Sequence, residues 1–174
     1  MNYLVVVDMQ TDFITGSLGS DMAVAILPRV EEKIKSFDGE VIFTRDTHEK
    51  DYLETQEGRK LPVPHCIKNT DGWQIARELR PYVKTVVDKA TFGSVDLPNL
   101  MREHSDRVEK ITLCGLCTDI CVISNAMILK AAFPEATVTV DAACCAGVTP
   151  ESHRTALEAM RAVQIEIEES KSEK

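Results

Sequence analysis

Six short runs of apolar and largely β-branched residues recur along the chain: YLVVV at 3–7, EVIFT at 40–44, KTVVD at 84–88, VEKITLC at 108–114, ATVTV at 136–140 and QIEI at 164–167. Most are nearly continuous in apolar residues rather than alternating, which is the pattern of strands covered on both faces. Between them, segments 22–36, 97–104, 119–131 and 150–162 carry apolar positions at helical spacing. Strands alternating with helix-length segments predict an α/β fold, a three-layer α/β/α sandwich around a six-stranded, mainly parallel sheet. Ligands in such folds gather at the carboxyl ends of the strands, so Asp8, Asp46, Lys89, the segment from Gly115 to Cys121, and Asp141 come under scrutiny. The irregular stretch from Asp46 to Asp71 is long for a loop inside one domain, and such loops tend to be functional.

Composition narrows the class of function. A chain of 174 residues with 44% hydrophobic content suits one domain, expected over 1–168, followed by a charged tail over 169–174. Twenty basic against 28 acidic side chains give a net charge of -8, which repels nucleic acid and anionic membranes and favours a small-molecule role. No apolar run approaches the roughly 20 residues that span a bilayer. MNYLVVVDMQ enters a strand without a basic leader, so the expected location is cytoplasmic. The six cysteines are then expected as thiols of a reducing compartment.

The stretch CGLCTDIC, residues 114–121, admits three readings. A cluster site needs thiolates from Cys114, Cys117 and Cys121 to converge, yet Cys114 is expected as the last strand residue, inside the sheet. All three could instead be small buried hydrophobes, the reading preferred for Cys66, Cys144 and Cys145. In the third, Gly115 permits a sharp turn, Thr118 caps a helix, and Cys121 sits in its first turn. There the helix dipole and free N–H groups lower a thiol's pKa and can hold an oxyanion.

A nucleophilic thiol needs a proton acceptor. Asp8 follows the first apolar run and Lys89 the third, both at the sheet edge expected for Cys121, where an ammonium could hold carboxylate and thiolate together. In the long loop, Asp46 and His48 share a side if the chain is extended, and His65 lies seventeen residues beyond His48. One carboxylate and two imidazoles suit Zn, Fe or Mn, with Glu57 a further donor or simply an exposed acid. His104 and His153 fall on polar helical faces and are assigned no role.

Over essentially its whole length the chain resembles the isochorismatase-like cysteine hydrolase superfamily. VVDMQTDF resembles its opening strand, VDKATF its lysine segment and GLCTDICV its nucleophile turn. The resemblance implies a catalytic triad of Asp8, Lys89 and Cys121, an oxyanion hole from the backbone of Cys117 and Cys121, and a cis peptide between Leu116 and Cys117. RDTH followed by PVPHC resembles the metal site of nicotinamidases, implying that Asp46, His48 and His65, with Glu57, hold one divalent ion, by preference Zn. Phe13 matches an aromatic that covers one face of the substrate ring. Where many nicotinamidases place a Trp beside the last histidine this chain has Leu61 to Pro64, and Trp73 lies eight residues beyond His65. The implied activity is hydrolysis of nicotinamide to nicotinate and ammonia through a thioester, by a homo-oligomer. The alternatives are an amidase for another small amide, or a noncatalytic metal-binding protein.

Overall fold

The computed structural model describes residues 1–105 and 107–169. Strands β1 (Asn2–Val7), β2 (Glu40–Asp46), β3 (Thr85–Lys89), β4 (Lys110–Leu116), β5 (Thr137–Ala146) and β6 (Glu166–Glu168) form one sheet in the order β3-β2-β1-β4-β5-β6. Among the described residues every pairing is parallel. The continuous apolar run of β1 has its explanation in the central position: Tyr3 to Val7 are fully buried, with covering layers on both sides.

The helices are α1 (Thr11–Ile14), α2 (Asp21–Ser36), α3 (Gln56–Lys60), α4 (Asp96–His104), α5 (Ile123–Ala132) and α6 (Pro150–Ala162). From β1 the chain steps outward through β2 to β3, then returns to the other side of β1 and steps through β4 and β5 to β6. Right-handed crossovers in these two directions place α2 on one face and α4, α5 and α6 on the other. Accordingly α2 packs on β4 and β5, while α5 touches both α4 and α6. The strand order reverses between β1 and β4, which opens a crevice at their carboxyl ends.

Three expectations are corrected. β5 runs six residues past 140 to Ala146 and takes Cys144 and Cys145 into the sheet, with a register shift against β4 between Leu113 and Gly115. Asp141 therefore lies inside β5, where its carboxylate meets Lys33 Nζ of α2 at 2.7 Å, and is no strand-end ligand. The 46–71 stretch is not structureless: it contains a 3-10 turn at Tyr52–Glu54 and the helix α3. The charged tail lies outside the described residues apart from Glu169, which pairs with Arg161. Among the described residues no helix is long and apolar enough to cross a membrane.

Gly115 makes the turn out of β4 possible. Its φ of 115° lies in the left-handed region, and a Cβ there would stand 2.1 Å from the Val7 carbonyl oxygen of β1. Gly115→Ala is expected to destabilise the fold by about 1–3 kcal/mol. Urea unfolding measures this, and an unchanged midpoint would mean that β1 and β4 separate freely at this point.

Candidate active site

The strand ends bring three of the sequence-identified residues together. Asp8 follows β1 with φ 47°, is fully buried, and accepts a hydrogen bond of 2.7 Å from Thr44 Oγ1 of β2. Lys89 ends β3 and is also buried. Its Nζ stands 2.6 Å from Asp8 Oδ2, 3.3 Å from Asp46 Oδ1 and 3.5 Å from Cys121 Sγ, and donates to the Thr91 carbonyl at 3.0 Å.

β4 ends at Leu116, and the Leu116–Cys117 peptide is cis, at the place the resemblance implies. Residues Thr118–Val122 then form a single π-helical turn ahead of α5. The Cys117 carbonyl accepts from the N–H groups of both Ile120 (3.1 Å) and Val122 (3.0 Å). The cap is thus Cys117 rather than Thr118, whose hydroxyl is bonded instead to His153 Nδ1 at 2.7 Å. Asn125 fixes the turn from the other side. Its Nδ2 donates to the Cys121 carbonyl at 2.8 Å, and its Oδ1 accepts from Ser94 N–H at 3.0 Å.

Cys114, Cys117 and Cys121 do not converge as a cluster. Cys114 is fully buried in the sheet, whereas Cys117 and Cys121 face the crevice. Burial, and next the charge of the Asp8 carboxylate, push the Cys121 thiol well above the usual thiol range against the opposing pull of Lys89. Burial likewise raises Asp8, opposed by Lys89 and reinforced by Asp46. Burial would lower Lys89, but the charges of Asp8, Cys121 and Asp46 outweigh it and raise the ammonium's pKa. The result is a buried thiol and carboxylate with one cation beside both, its Nζ 2.6 Å from Asp8 Oδ2 and 3.5 Å from Cys121 Sγ.

A second cluster adjoins the first. Single donor atoms from Asp46, His48, Glu57 and His65 lie within 4.8 Å of one another. His48 Nε2 is 2.9 Å from Asp46 Oδ2 and 3.6 Å from Glu57 Oε1, and His65 Nε2 is 3.5 and 3.8 Å from the same two oxygens. Donors about 2.0–2.2 Å from a common point leave separations of this order between them. His65 Nδ1–H donates to the Val63 carbonyl at 2.8 Å, which turns Nε2 toward the cluster. The Tyr52 ring packs against both imidazoles, with centroids 4.7 and 5.0 Å away. Two nitrogens and two carboxylate oxygens, none strongly exposed, fit a divalent ion, and Glu57 joins the set because α3 carries it there.

Both clusters open on one cavity of about 450 Å³, walled by Phe13, Leu18, Leu61, Phe92, Ile120 and Val148 among others. Among the described residues neither Lys nor Arg lines it. Phe13 stands on the wall with its ring 5.5 Å from that of His65. Trp73 does not reach it: the indole N–H donates to Thr47 Oγ1 at 2.8 Å and the ring lies under the Arg45 guanidinium at 3.4 Å. Sequence reasoning missed Thr44, Gln10 and Asn125. Gln10, inside the segment DMQTDF, clamps Asp46 by accepting from its N–H at 2.7 Å and donating to its carbonyl at 2.8 Å. A polar residue three positions past the end of an apolar strand is the available signal for it.

A family model described as the isochorismatase domain matches residues 2–171. The chain belongs to the isochorismatase family. Among solved structures it is similar to a pyrazinamidase of Pyrococcus horikoshii in complex with zinc, at 27% identity and a TM-score of 0.81, covering 97% of this chain and 98% of that one. It is similar also to a nicotinamidase, PncA, from Bacillus subtilis, at 25% identity and a TM-score of 0.80, covering 96% and 98%. A nicotinamidase of Saccharomyces cerevisiae is 24% identical over 176 residues, 73% of this chain and 80% of the relative.

Proposed function

We propose that this isochorismatase-family hydrolase is a metal-dependent cysteine amidohydrolase that converts nicotinamide to nicotinate and ammonia. The observation that carries the reading is the joining of two clusters on one cavity: a thiol, carboxylate and ammonium within hydrogen-bond reach, and beside them a four-donor nitrogen–oxygen set.

In this mechanism the Cys121 sulfur attacks the amide carbon as its proton passes to Asp8. Lys89 stabilises the carboxylate while it is charged and the sulfur while it becomes so. The backbone N–H groups of Cys117 and Cys121 receive the carbonyl oxygen as it gains negative charge. Asp8 then returns the proton to the departing nitrogen, ammonia leaves, and a thioester remains. Water attacks the thioester with Asp8 again taking the proton, nicotinate departs and the thiol is restored. Phe13 covers one face of the ring. Asp46, His48, Glu57 and His65 would hold a divalent ion, zinc by preference, whose Lewis acidity supplies an orienting contact for the pyridine nitrogen. The protein acts as a cytoplasmic homo-oligomer in this reading.

Purified, metal-loaded protein is expected to release ammonia and nicotinate from nicotinamide in equal amounts. Asp8→Asn is expected to lose about 10²–10⁴-fold in kcat, because an amide cannot take the thiol proton. Turnover of another small amide with none of nicotinamide would refute the substrate assignment, and near-normal rates in Asp8→Asn would remove Asp8 from the proton path.

A further inference from the structure

We infer that His153, on a helical face that reads as merely polar in the sequence, is a positioning residue for the nucleophile turn. It holds Thr118, and through it the stretch from Cys117 to Cys121, in the geometry that attack requires. The inference rests on the proposed role of Cys121.

Thr118 is fully buried, and its hydroxyl is bonded to His153 Nδ1 at 2.7 Å. The next residue is tied to the same region, because Asp119 Oδ1 accepts the Val148 N–H at 3.1 Å. Two consecutive residues of the turn are therefore anchored, Thr118 to α6 and Asp119 to the segment that joins β5 to α6. That segment faces the substrate cavity, since Gly147 and Val148 line it together with Cys117 and Cys121.

The imidazole is held firmly on its own side. Thr149 and Ser152 form a reciprocal capping box with Pro150 in the first turn, which fixes the start of α6 and the position of His153 within it. Gly147 packs directly on His153: a Cβ added to the glycine would lie 2.9 Å from the histidine Cα, Cβ and N. Burial lowers the pKa of the imidazole, so the ring is neutral at neutral pH and exchanges a neutral hydrogen bond with the hydroxyl. A turn fastened at Thr118 and Asp119 on one side and by Asn125 on the other leaves Cys121 little freedom. Small misplacements of reacting groups cost large factors in rate.

The test exploits the reach of two amide side chains. The Asn amide lies at about the distance from Cα of the imidazole Nδ1, and the Gln amide at about that of Nε2. His153→Ala is expected to lower kcat by about 10–100-fold with KM little changed. His153→Asn is expected to recover most of the loss and His153→Gln little of it, without following the melting temperatures. Thr118→Val, with the imidazole intact, should reproduce the Ala result. Hydrogen exchange of the 117–122 backbone amides should accelerate in the Ala and Gln variants and slow again in Asn. This second readout needs no substrate, so it decides the matter even if the wild-type protein proves inactive on nicotinamide. An Ala variant with normal kcat and unchanged exchange, or an Asn variant as impaired as Ala in both, would overturn the inference.

Discussion

Cys121→Ala is expected to leave a folded protein whose ammonia release from nicotinamide falls by about 10⁴-fold or more, to the uncatalysed background. The side chain is small, and its hydrogen-bond partner is Lys89 Nζ at 3.5 Å. Removing the sulfur leaves Asp8 and Lys89 paired at 2.6 Å, so the buried charges stay compensated and the fold survives. Cys114→Ala makes the opposite prediction. That thiol is fully buried within β4, far above the usual thiol range because of burial, and its loss should cost about 1–2 kcal/mol of stability with kcat intact. Circular dichroism and kcat, measured on both variants, separate the two cases. Equal losses of activity in two well-folded variants would contradict the assignment of one reactive thiol.

The contrast between these two cysteines is legible in the sequence itself, because Cys114 closes an apolar run and Cys121 opens a helical one. The strands at 3–7, 40–44 and 84–88 fall on β1, β2 and β3 to within a residue or two, since a run buried on both faces leaves little room for another assignment. The end of β5 is not legible. Ala142 to Ala146 are small and unbranched, and they join the sheet only through the register shift beside Gly115. Thr118 looks like a cap by residue type, yet the π-helical turn moves the cap to Cys117 and frees the hydroxyl for His153. That partnership joins positions 35 apart, and no local pattern encodes it. The direction of the Cys121 shift is also out of the sequence's reach, because a helix start argues for a low value while burial beside Asp8 raises it. Glu57 enters the donor set only because α3 turns it toward the histidines, and spacing alone does not tell it from an exposed acid.

Loading the Asp46, His48, Glu57 and His65 site with one equivalent of zinc is expected to raise the melting temperature substantially. Two carboxylates gathered beside two imidazoles repel one another and draw on His48, His65 and Lys89 for compensation. An ion that binds the native site alone and is present at about 100 times its Kd contributes about 2.7 kcal/mol, which for a chain of this size is roughly 5–10 °C. His48→Ala should lose most of that shift and retain much less zinc by elemental analysis, while its apo form melts below the apo wild type because Asp46 loses a buried partner at 2.9 Å. Chelation should also depress nicotinamide turnover, with recovery on adding zinc back. A wild-type protein that binds no ion stoichiometrically and melts at one temperature with or without zinc would reduce the four residues to a hydrogen-bonded network.

In the proposed reaction one thiol forms a covalent bond to the acyl group of nicotinamide. Rapid acid quench of metal-loaded enzyme during turnover, followed by peptide mass spectrometry, tests it most directly. A nicotinoyl thioester is expected on Cys121, absent from Cys117 and Cys114, absent in Cys121→Ala, and lost as nicotinate forms. Product formed at the normal rate while no acyl group is found on Cys121 at any quench time, or is found on another residue, would contradict it.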